Sequence, residues 1–419
     1  MTPAPTFREA LRFWLKLGFI SFGGPTGQIA IMHTELVEKK KWIGEERFLH
    51  ALNFCMLLPG PEATQLATYC GWLLHGRRGG LVAGVLFVLP SALLLWALSW
   101  VYVAHGSLPW VAAIFHGLKA AVTAIVVAAV IRIGQRALKT RAAWVLAAVA
   151  FAAIFFAQVP FPLIIAGAAV VGWFSFARLG AGAKPLAGAD TVAAPASSTS
   201  TLRVSLLLFV LWWLPPLVAG LVQGWDGVLA REGIFFSKAA MVTFGGAYAV
   251  LPYVQQQAVE HYGWLTATQM LDGLGLAETT PGPLIMVVQF VGFLGGWNAP
   301  GALTPLAMAT LGAAMTTWTT FLPCFLWVFL GAPHVERLRN NVRLSGALGA
   351  VTAAVVGVIL NLAVWFGWQV LFPGGWSGAD AFAIGLALAA FVALQFFRVG
   401  IVTVVLASGA AGLLWSLAT

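Results

Sequence analysis

Phe22-Gly23-Gly24 and, further on, Pro59-Gly60-Pro61 interrupt otherwise apolar sequence. Both recur, as Phe244-Gly245-Gly246 and Pro281-Gly282-Pro283, each 222 positions later. The same spacing pairs Phe13 with Phe235, Lys16 with Lys238, Trp42 with Trp264 and Leu49 with Leu271. A gap-free match of this extent means that the chain holds two copies of one unit. Each copy carries Gly and Pro where an uninterrupted helix would be expected.

The composition sets the environment. Of 419 residues, 60% are hydrophobic and 9% charged, whereas a soluble domain carries roughly 25% charged residues. No soluble fold hides that much apolar surface, so the expected fold class is an all-α polytopic membrane protein whose solvent is the lipid bilayer. The formal charge of +9 does not point to nucleic acid. The basic residues gather in short connections between apolar runs, as in cytoplasmic loops. Met1 to Ala10 lack the form of a signal peptide. Cys55, Cys70 and Cys324 have no metal or CxxC spacing and read as small packing residues. The seven histidines show no ligand spacing, and there is no HExxH and no Walker sequence. No metal and no cofactor is expected.

Along the chain, helical pieces at 7–21, 26–38, 46–58 and 62–75 are separated by the Gly and Pro breaks. Each is too short to span alone, since a crossing needs about 20 residues; paired fragments around a break suggest discontinuous helices or re-entrant hairpins. Plain spans follow at 81–104, 109–131, 143–158 and 160–177. The Ala/Gly/Ser/Thr-rich stretch from Gly180 to Ser200 sets a flexible linker at 180–203, between an N-terminal half at 1–179 and a C-terminal half at 204–419. The second half reads as a span at 204–223, a broken-helix unit at 228–295, and spans at 302–331, 345–366, 380–397 and 400–417. That makes 10 to 14 membrane segments. Beyond the core, Leu89-Pro90 resembles Leu322-Pro323, and Ala121-Val122-Thr123-Ala124 matches Ala350-Val351-Thr352-Ala353 at an offset of 229.

Charge gives the orientation. Arg77 and Arg78, then Arg132, Arg136, Lys139 and Arg141, alternate with uncharged connections, which the positive-inside rule places on opposite sides. The connection carrying Lys39, Lys40, Lys41 and Arg47 has a counterpart, His261 to Asp272, without Lys or Arg. Five plain spans lie between the two cores, and an odd number inverts the second. The two copies therefore read as an inverted-topology repeat.

Broken helices in a membrane leave backbone groups unpaired at several kcal/mol each in hydrocarbon, so they persist where backbone lines a cavity or meets an ion. In inverted-repeat transporters the breaks of both halves build the substrate site near the midplane. Helices restarting after Gly-Gly or Pro-Gly-Pro point free N–H groups and a positive dipole end at that site, which favours an anion. Phe22, Gly23, Gly24, Pro59, Gly60, Pro61, Phe244, Gly245, Gly246, Pro281, Gly282 and Pro283 are thus the candidate substrate-binding residues. Lys16 and Lys238, each six residues before its break, are candidate counter-charges. The competing reading is snorkelling to the interface near a helix start. Glu62, next to Pro61, and Glu278, three residues before Pro281, either neutralise a helix dipole or carry a coupled proton. Arg77 and Arg78 either gather anions at the cytoplasmic mouth or simply mark a cytoplasmic loop.

Together, FGGP-x-GQ at 22–28, LPGPEATQLATYCGW at 58–72, GRRGG at 76–80, and VTFGGAYAVLP and TTPGP in the second half resemble the chromate ion transporter family, in its long form with two homologous halves. The resemblance covers the whole chain except the linker. It implies export of chromate from the cytoplasm, driven by the proton-motive force and conferring chromate resistance, with protons as the coupled ion and sulfate, a similar tetrahedral dianion, as competitor. Copy two departs by placing Leu284 where copy one has Glu62, and by lacking GRRGG. One alternative changes the cargo to sulfate or another oxyanion. An alternative of another class is a membrane-embedded lipid-modifying enzyme, which the absence of paired acids or a nucleophile–base set disfavours. A homodimer stays open as an assembly.

Overall fold

The computed structural model describes residues 5–106, 108–175, 198–331 and 342–419. All its regular elements are helical. Half one contains α1 (Phe7–Ile20), α2 (Gly24–His33), a π turn (Thr34–Lys39), α3 (Glu45–Cys55), α4 (Glu62–His105), α5 (Pro109–Ala137), α6 (Arg141–Phe155) and α7 (Phe161–Phe174). Half two contains α8 (Ser198–Gln223), α9 (Val228–Val242), α10 (Ala247–Gln255), a second π turn (Gln256–His261), α11 (Ala267–Thr279), a 3-10 turn (Leu284–Met286), α12 (Val287–Asn298), α13 (Pro305–Gly331), α14 (Val342–Leu371), α15 (Ala381–Gln395) and α16 (Ile401–Ala418). Six of these are long and apolar enough to cross a membrane, and four shorter apolar helices accompany them.

The breaks fall where Gly and Pro place them. Gly23 and Gly24 have φ of +89° and +69°, and Gly245 and Gly246 of +82° and +94°. These left-handed values end α1 and α9 and start α2 and α10 in a new direction, at little steric cost only for glycine. Each short core helix of half one is about 15–21 Å long at 1.5 Å per residue, less than the hydrocarbon thickness of about 30 Å. His75 Nε2 lies 2.9 Å from the Pro5 carbonyl, so the start of α1 and the kink in α4 share one level. The core of half one is a pair of hairpins entering from the side that carries Lys39–Lys41.

Two expected boundaries shift. The piece at 62–75 does not stop at Gly76-Arg77-Arg78. It continues as α4 through a kink at His75 and Gly76, whose φ of +58° only a glycine takes readily. In half two the resumption after Pro281-Gly282-Pro283 is a 3-10 turn, and α12 and α13 stay separate. Of the expected linker, 180–197 lies outside the described residues, and Ser198–Arg203 forms the start of α8.

The packing of α4 on α13 shows the inversion directly. A Cβ on Gly80 would stand 2.8 Å from the Phe329 ring, and one on Gly84 would stand 2.5 Å from the Phe325 ring. Further along, Trp96 Nε1 donates to Thr310 Oγ1 at 3.1 Å. Residue numbers rise on one helix as they fall on the other, so the helices are antiparallel. Their prolines, Pro90 and Pro323, are repeat counterparts, and antiparallel counterparts mean a two-fold axis in the membrane plane.

The repeat also runs to the end of the chain, at a further offset of 240. Gln158 and Arg398 are both left-handed, with φ of +48° and +53°. Val159 N–H bonds the Ala153 carbonyl as Val399 N–H bonds that of Ala393. Buried Ala143, Ala147 and Ala150 of α6 match buried Ala383, Ala387 and Ala390 of α15. These terminal pairs are exchanged between halves. A Cβ on Gly172 of α7 would come 2.4 Å from the Gly346 carbonyl of α14, and one on Gly412 of α16 would come 2.3 Å from the Ala113 carbonyl of α5. Small residues let these backbones touch, as is usual where lipid provides no hydrophobic drive between helices. The halves are interlocked around a common centre.

Candidate functional site

At that centre the four breaks hold one another. The Gly60 N–H donates to the Thr243 carbonyl at 2.7 Å, and the Gly282 N–H donates to the Ser21 carbonyl at 2.7 Å. Ser21 and Thr243 are counterparts, as are Gly60 and Gly282, so this is one bond made twice across the two-fold axis. It satisfies backbone groups that the breaks free in a low-dielectric interior. Ser21 and Thr243 turn their hydroxyls back to the Leu17 and Ala239 carbonyls at 2.7 and 2.6 Å. Gln65 Nε2 donates to the Pro59 carbonyl at 2.7 Å, and Gln28 Nε2 donates to that of Gly282. The φ of Gly60 is +119° and that of Gly282 is +103°, which restricts both positions to glycine.

Beside this knot lies a cavity of about 270 Å³. Pro25 and Thr26 from the first Phe-Gly-Gly break line it, with Phe244 to Tyr248 from the second. A Cβ on Gly246 would be 3.9 Å from Pro25 Cγ, and one on Gly245 would be 4.0 Å from Thr352 Cγ2. Glu62, Arg132 and Arg136 complete the charged lining, with Met56, Leu348 and Thr352 among the rest. Three helices, α2, α4 and α10, begin at this cavity with Gly23, Pro61 and Gly246 as N-caps, and none has a side-chain cap. Residues of these helix starts, where the positive dipole ends lie, line a space that Arg132 and Arg136 also line. Arg132 and Arg136 are four residues apart on α5 and share a face. Such an arrangement suits an oxyanion: backbone donors and charge-assisted, bidentate arginine donors converge on it.

The site differs between the halves. The first break is partly exposed, as are Pro59 and Glu62, whereas Pro281, Gly282, Pro283 and Glu278 are all buried. Tyr248, which lines the cavity, donates its hydroxyl to Glu278 Oε1 behind it. Arg136 acts electrostatically on Glu62, and Arg132 on Glu278. The cavity lies at the end of α5 followed by Lys139 and Arg141, hence on the cytoplasmic side. A second cavity, of about 390 Å³, lies between Gln158, Gln255, Gln256 and Glu260 on the other side. Asn361 and Trp365, the counterparts of Arg132 and Arg136, line it.

Lys16 and Lys238 are exposed and do not line the cytoplasmic cavity. Lys16 shares the outer face of α1 with exposed Arg8 and Arg12. Arg78 is exposed and Arg77 half-buried, both directly after the kink in α4. The arginines that do reach the cavity, Arg132 and Arg136, read in the sequence as ordinary inside-positive charges. Their spacing by one helical turn, and their apolar or neutral counterparts, were the available signal. A further buried carboxylate, Glu232, packs between Gly295 and Gly312 away from the cavity. Its counterpart is Ala10, so it is not part of the doubled site.

Comparison with known proteins divides the chain at the same place. The family model described as "Chromate transporter" matches residues 8–173 and again 232–413, once on each half. The chain belongs to the chromate transporter family. It is 36% identical over 421 residues to the chromate transport protein of Pseudomonas aeruginosa, covering 98% of this chain and 92% of that protein. It is 31% identical to the chromate transport protein of Cupriavidus metallidurans, over 86% of this chain and 83% of the relative. It is also 29% identical to a probable chromate transport protein of Synechococcus elongatus, over 88% and 86%. No solved structure matches significantly. Chromate transporters form a transport family, not an enzyme family, and this member is a multi-pass protein of the plasma membrane. The two matched segments of the chromate transporter model leave out 174–231, which includes the expected linker and α8.

Proposed function

We propose that this chromate transporter exports chromate from the cytoplasm, driven by the proton-motive force, and so confers chromate resistance. The observation that carries this reading is the cytoplasmic cavity where both Phe-Gly-Gly breaks meet Arg132 and Arg136. A tetrahedral dianion there would accept hydrogen bonds from the starts of α2, α4 and α10 and from the two guanidinium groups. We assign the counter-charge to these arginines, with Lys16 and Lys238 outside the lining. Gly245 and Gly246, in the lining, let the anion approach the backbone, Gly23 and Gly24 make the turn that brings Pro25 and Thr26 to it, and Gly60 and Gly282 hold the breaks together. Glu62, in the cavity, and Glu278, one hydroxyl away through Tyr248, carry the coupled proton, and Arg77 and Arg78 gather anions at the cytoplasmic mouth. The names of the bacterial relatives support chromate as cargo.

The test is chromate uptake into everted membrane vesicles, with and without an imposed proton gradient, and with sulfate as competitor. Uptake that requires the gradient and falls with added sulfate is expected. Uptake indifferent to the gradient would overturn proton coupling. Uptake of sulfate in preference to chromate would change the cargo.

A further inference from the structure

The two-fold relation between the halves says what the cavity becomes when the protein opens to the other side. In an inverted repeat, each half takes up the other's conformation as access alternates. The residues lining the outward cavity are therefore the counterparts of those lining the cytoplasmic one. The counterpart of Leu348 is Lys119, and that of Thr352 is Thr123. The local geometry agrees: Thr352 Oγ1 donates to the Leu348 carbonyl at 2.8 Å, and Thr123 Oγ1 donates to the Lys119 carbonyl at 3.0 Å. Arg132 and Arg136 map to Asn361 and Trp365, and Glu62 maps to Leu284. Among the mapped positions only 119 carries a Lys or Arg.

In the present state that lysine is engaged elsewhere. Lys119 Nζ lies 3.9 Å from Asp272 Oδ1, and the Tyr102 hydroxyl donates to Asp272 Oδ2 at 2.8 Å. Asp272 is 3% exposed, and its Oδ1 has no hydrogen-bond partner besides this ion-pair contact. The contact joins α5 of half one to α11 of half two. Thr123 and Asp272 are buried and Lys119 keeps 21% of its side chain exposed, whereas Thr352, the counterpart of Thr123, lines the open cavity.

We propose that Lys119 is the cation that contacts the oxyanion in the outward-facing state, and that Asp272 with Tyr102 holds it in reserve while the cavity faces the cytoplasm. The Lys119–Asp272 pair is then the extracytoplasmic gate. A single lysine, in place of the two arginines inside, makes the outward site the weaker one, which favours release. This rests on the reading of the cytoplasmic cavity as the anion site.

The experiment has two arms. In the first, Thr123→Cys is labelled from outside intact cells with a membrane-impermeant thiol reagent, over the baseline of the buried native cysteines. Labelling should be slow with the gate intact. It should rise at least severalfold when Asp272→Asn or Lys119→Leu removes the ion pair; two variants guard against misfolding of one. In the second arm, half-saturating chromate is measured from each side, in everted vesicles and in right-side-out vesicles. Lys119→Leu should raise the extracytoplasmic value about tenfold, the effect of one charge-assisted contact, and shift the cytoplasmic value far less. Unchanged Thr123→Cys labelling in both variants, or equal shifts on both sides, would overturn the proposal. If Arg132→Ala and Arg136→Ala leave the cytoplasmic value untouched, the failure lies instead in the underlying cavity reading, and the proposal falls with it.

Discussion

A charged side chain in this protein matters according to the surface it reaches. Lys16 and Lys238 are doubled in the sequence, yet both point outward from their helices. Arg132 and Arg136 are not doubled, and they line the cavity. The two sets make opposite predictions. Arg132→Ala should raise the half-saturating chromate concentration in everted vesicles about tenfold, since a hydrogen bond to a charged group contributes roughly 1.5–3 kcal/mol, and Arg136→Ala, whose more exposed side chain lines the same cavity, should raise it by a smaller factor. Lys16→Ala and Lys238→Ala should change it by less than about twofold, because neither lysine lines the cavity. A tenfold effect of either lysine would return the counter-charge to them. Glu62→Gln keeps the shape of the cavity and removes a titrating group. Downhill chromate exchange should persist in that variant while gradient-driven accumulation is lost, and accumulation at the normal level would exclude Glu62 as a proton carrier.

At the scale of the element, the breaks depend on glycines in conformations that other residues resist. Gly282 has φ of +103°, and a Cβ there would meet Ser91 Cβ at 2.6 Å. Gly60 has φ of +119° but more room, with Gln65 Nε2 at 3.0 Å and Cys324 Sγ at 3.4 Å. Gly282→Ala should therefore cost about 2–4 kcal/mol, and Gly60→Ala about 1–2, from backbone strain plus overpacking. Thermal unfolding in detergent would rank them, and a milder Gly282→Ala would contradict the close approach to α4. Another element carries a pH signature. Asp380 caps α15 through the Ala383 N–H and lies 2.6 Å from His116 Nε2. Partial burial opposes its ionisation, but the Ala383 N–H and the His116 imidazole outweigh this and hold the carboxyl below the usual aspartate range. A lowered folded-state value gives stability that is complete above the unfolded pKa and is lost as pH falls through the folded one. Asp380→Asn should flatten the stability profile below about pH 4, the ordinary aspartate value.

For the molecule as a whole, the two-fold axis sets both topology and cooperation between halves. Lys41 and Gly263 are counterparts with left-handed φ of +53° and +62°. Cysteines at these positions should label from opposite sides of the membrane; labelling from one side would refute the inversion. The crossed Gly60–Thr243 and Gly282–Ser21 bonds, and the exchange of terminal helices, leave each half with unpaired backbone and uncovered small-residue faces when alone. Segments 1–179 and 204–419 expressed separately should transport nothing and degrade quickly, whereas co-expression should restore flux.

Much of this was legible in the residues. Doubled Phe-Gly-Gly and Pro-Gly-Pro, the apolar composition and the alternation of basic loops determined a helical membrane protein of two inverted halves, because glycine conformations and membrane charge asymmetry act locally. The extension of the repeat through α6, α7, α15 and α16 was not legible. It survives mainly as small residues at buried positions, such as Ala143 with Ala383 and Gly172 with Gly412, which apolar sequence masks. Only the tertiary structure decided which charges reach the cavity, since that depends on how α5 is rotated against the breaks of the other half. It alone paired Lys119 with Asp272 across 153 positions of chain, a contact made by the packing of α5 on α11 and by no local rule.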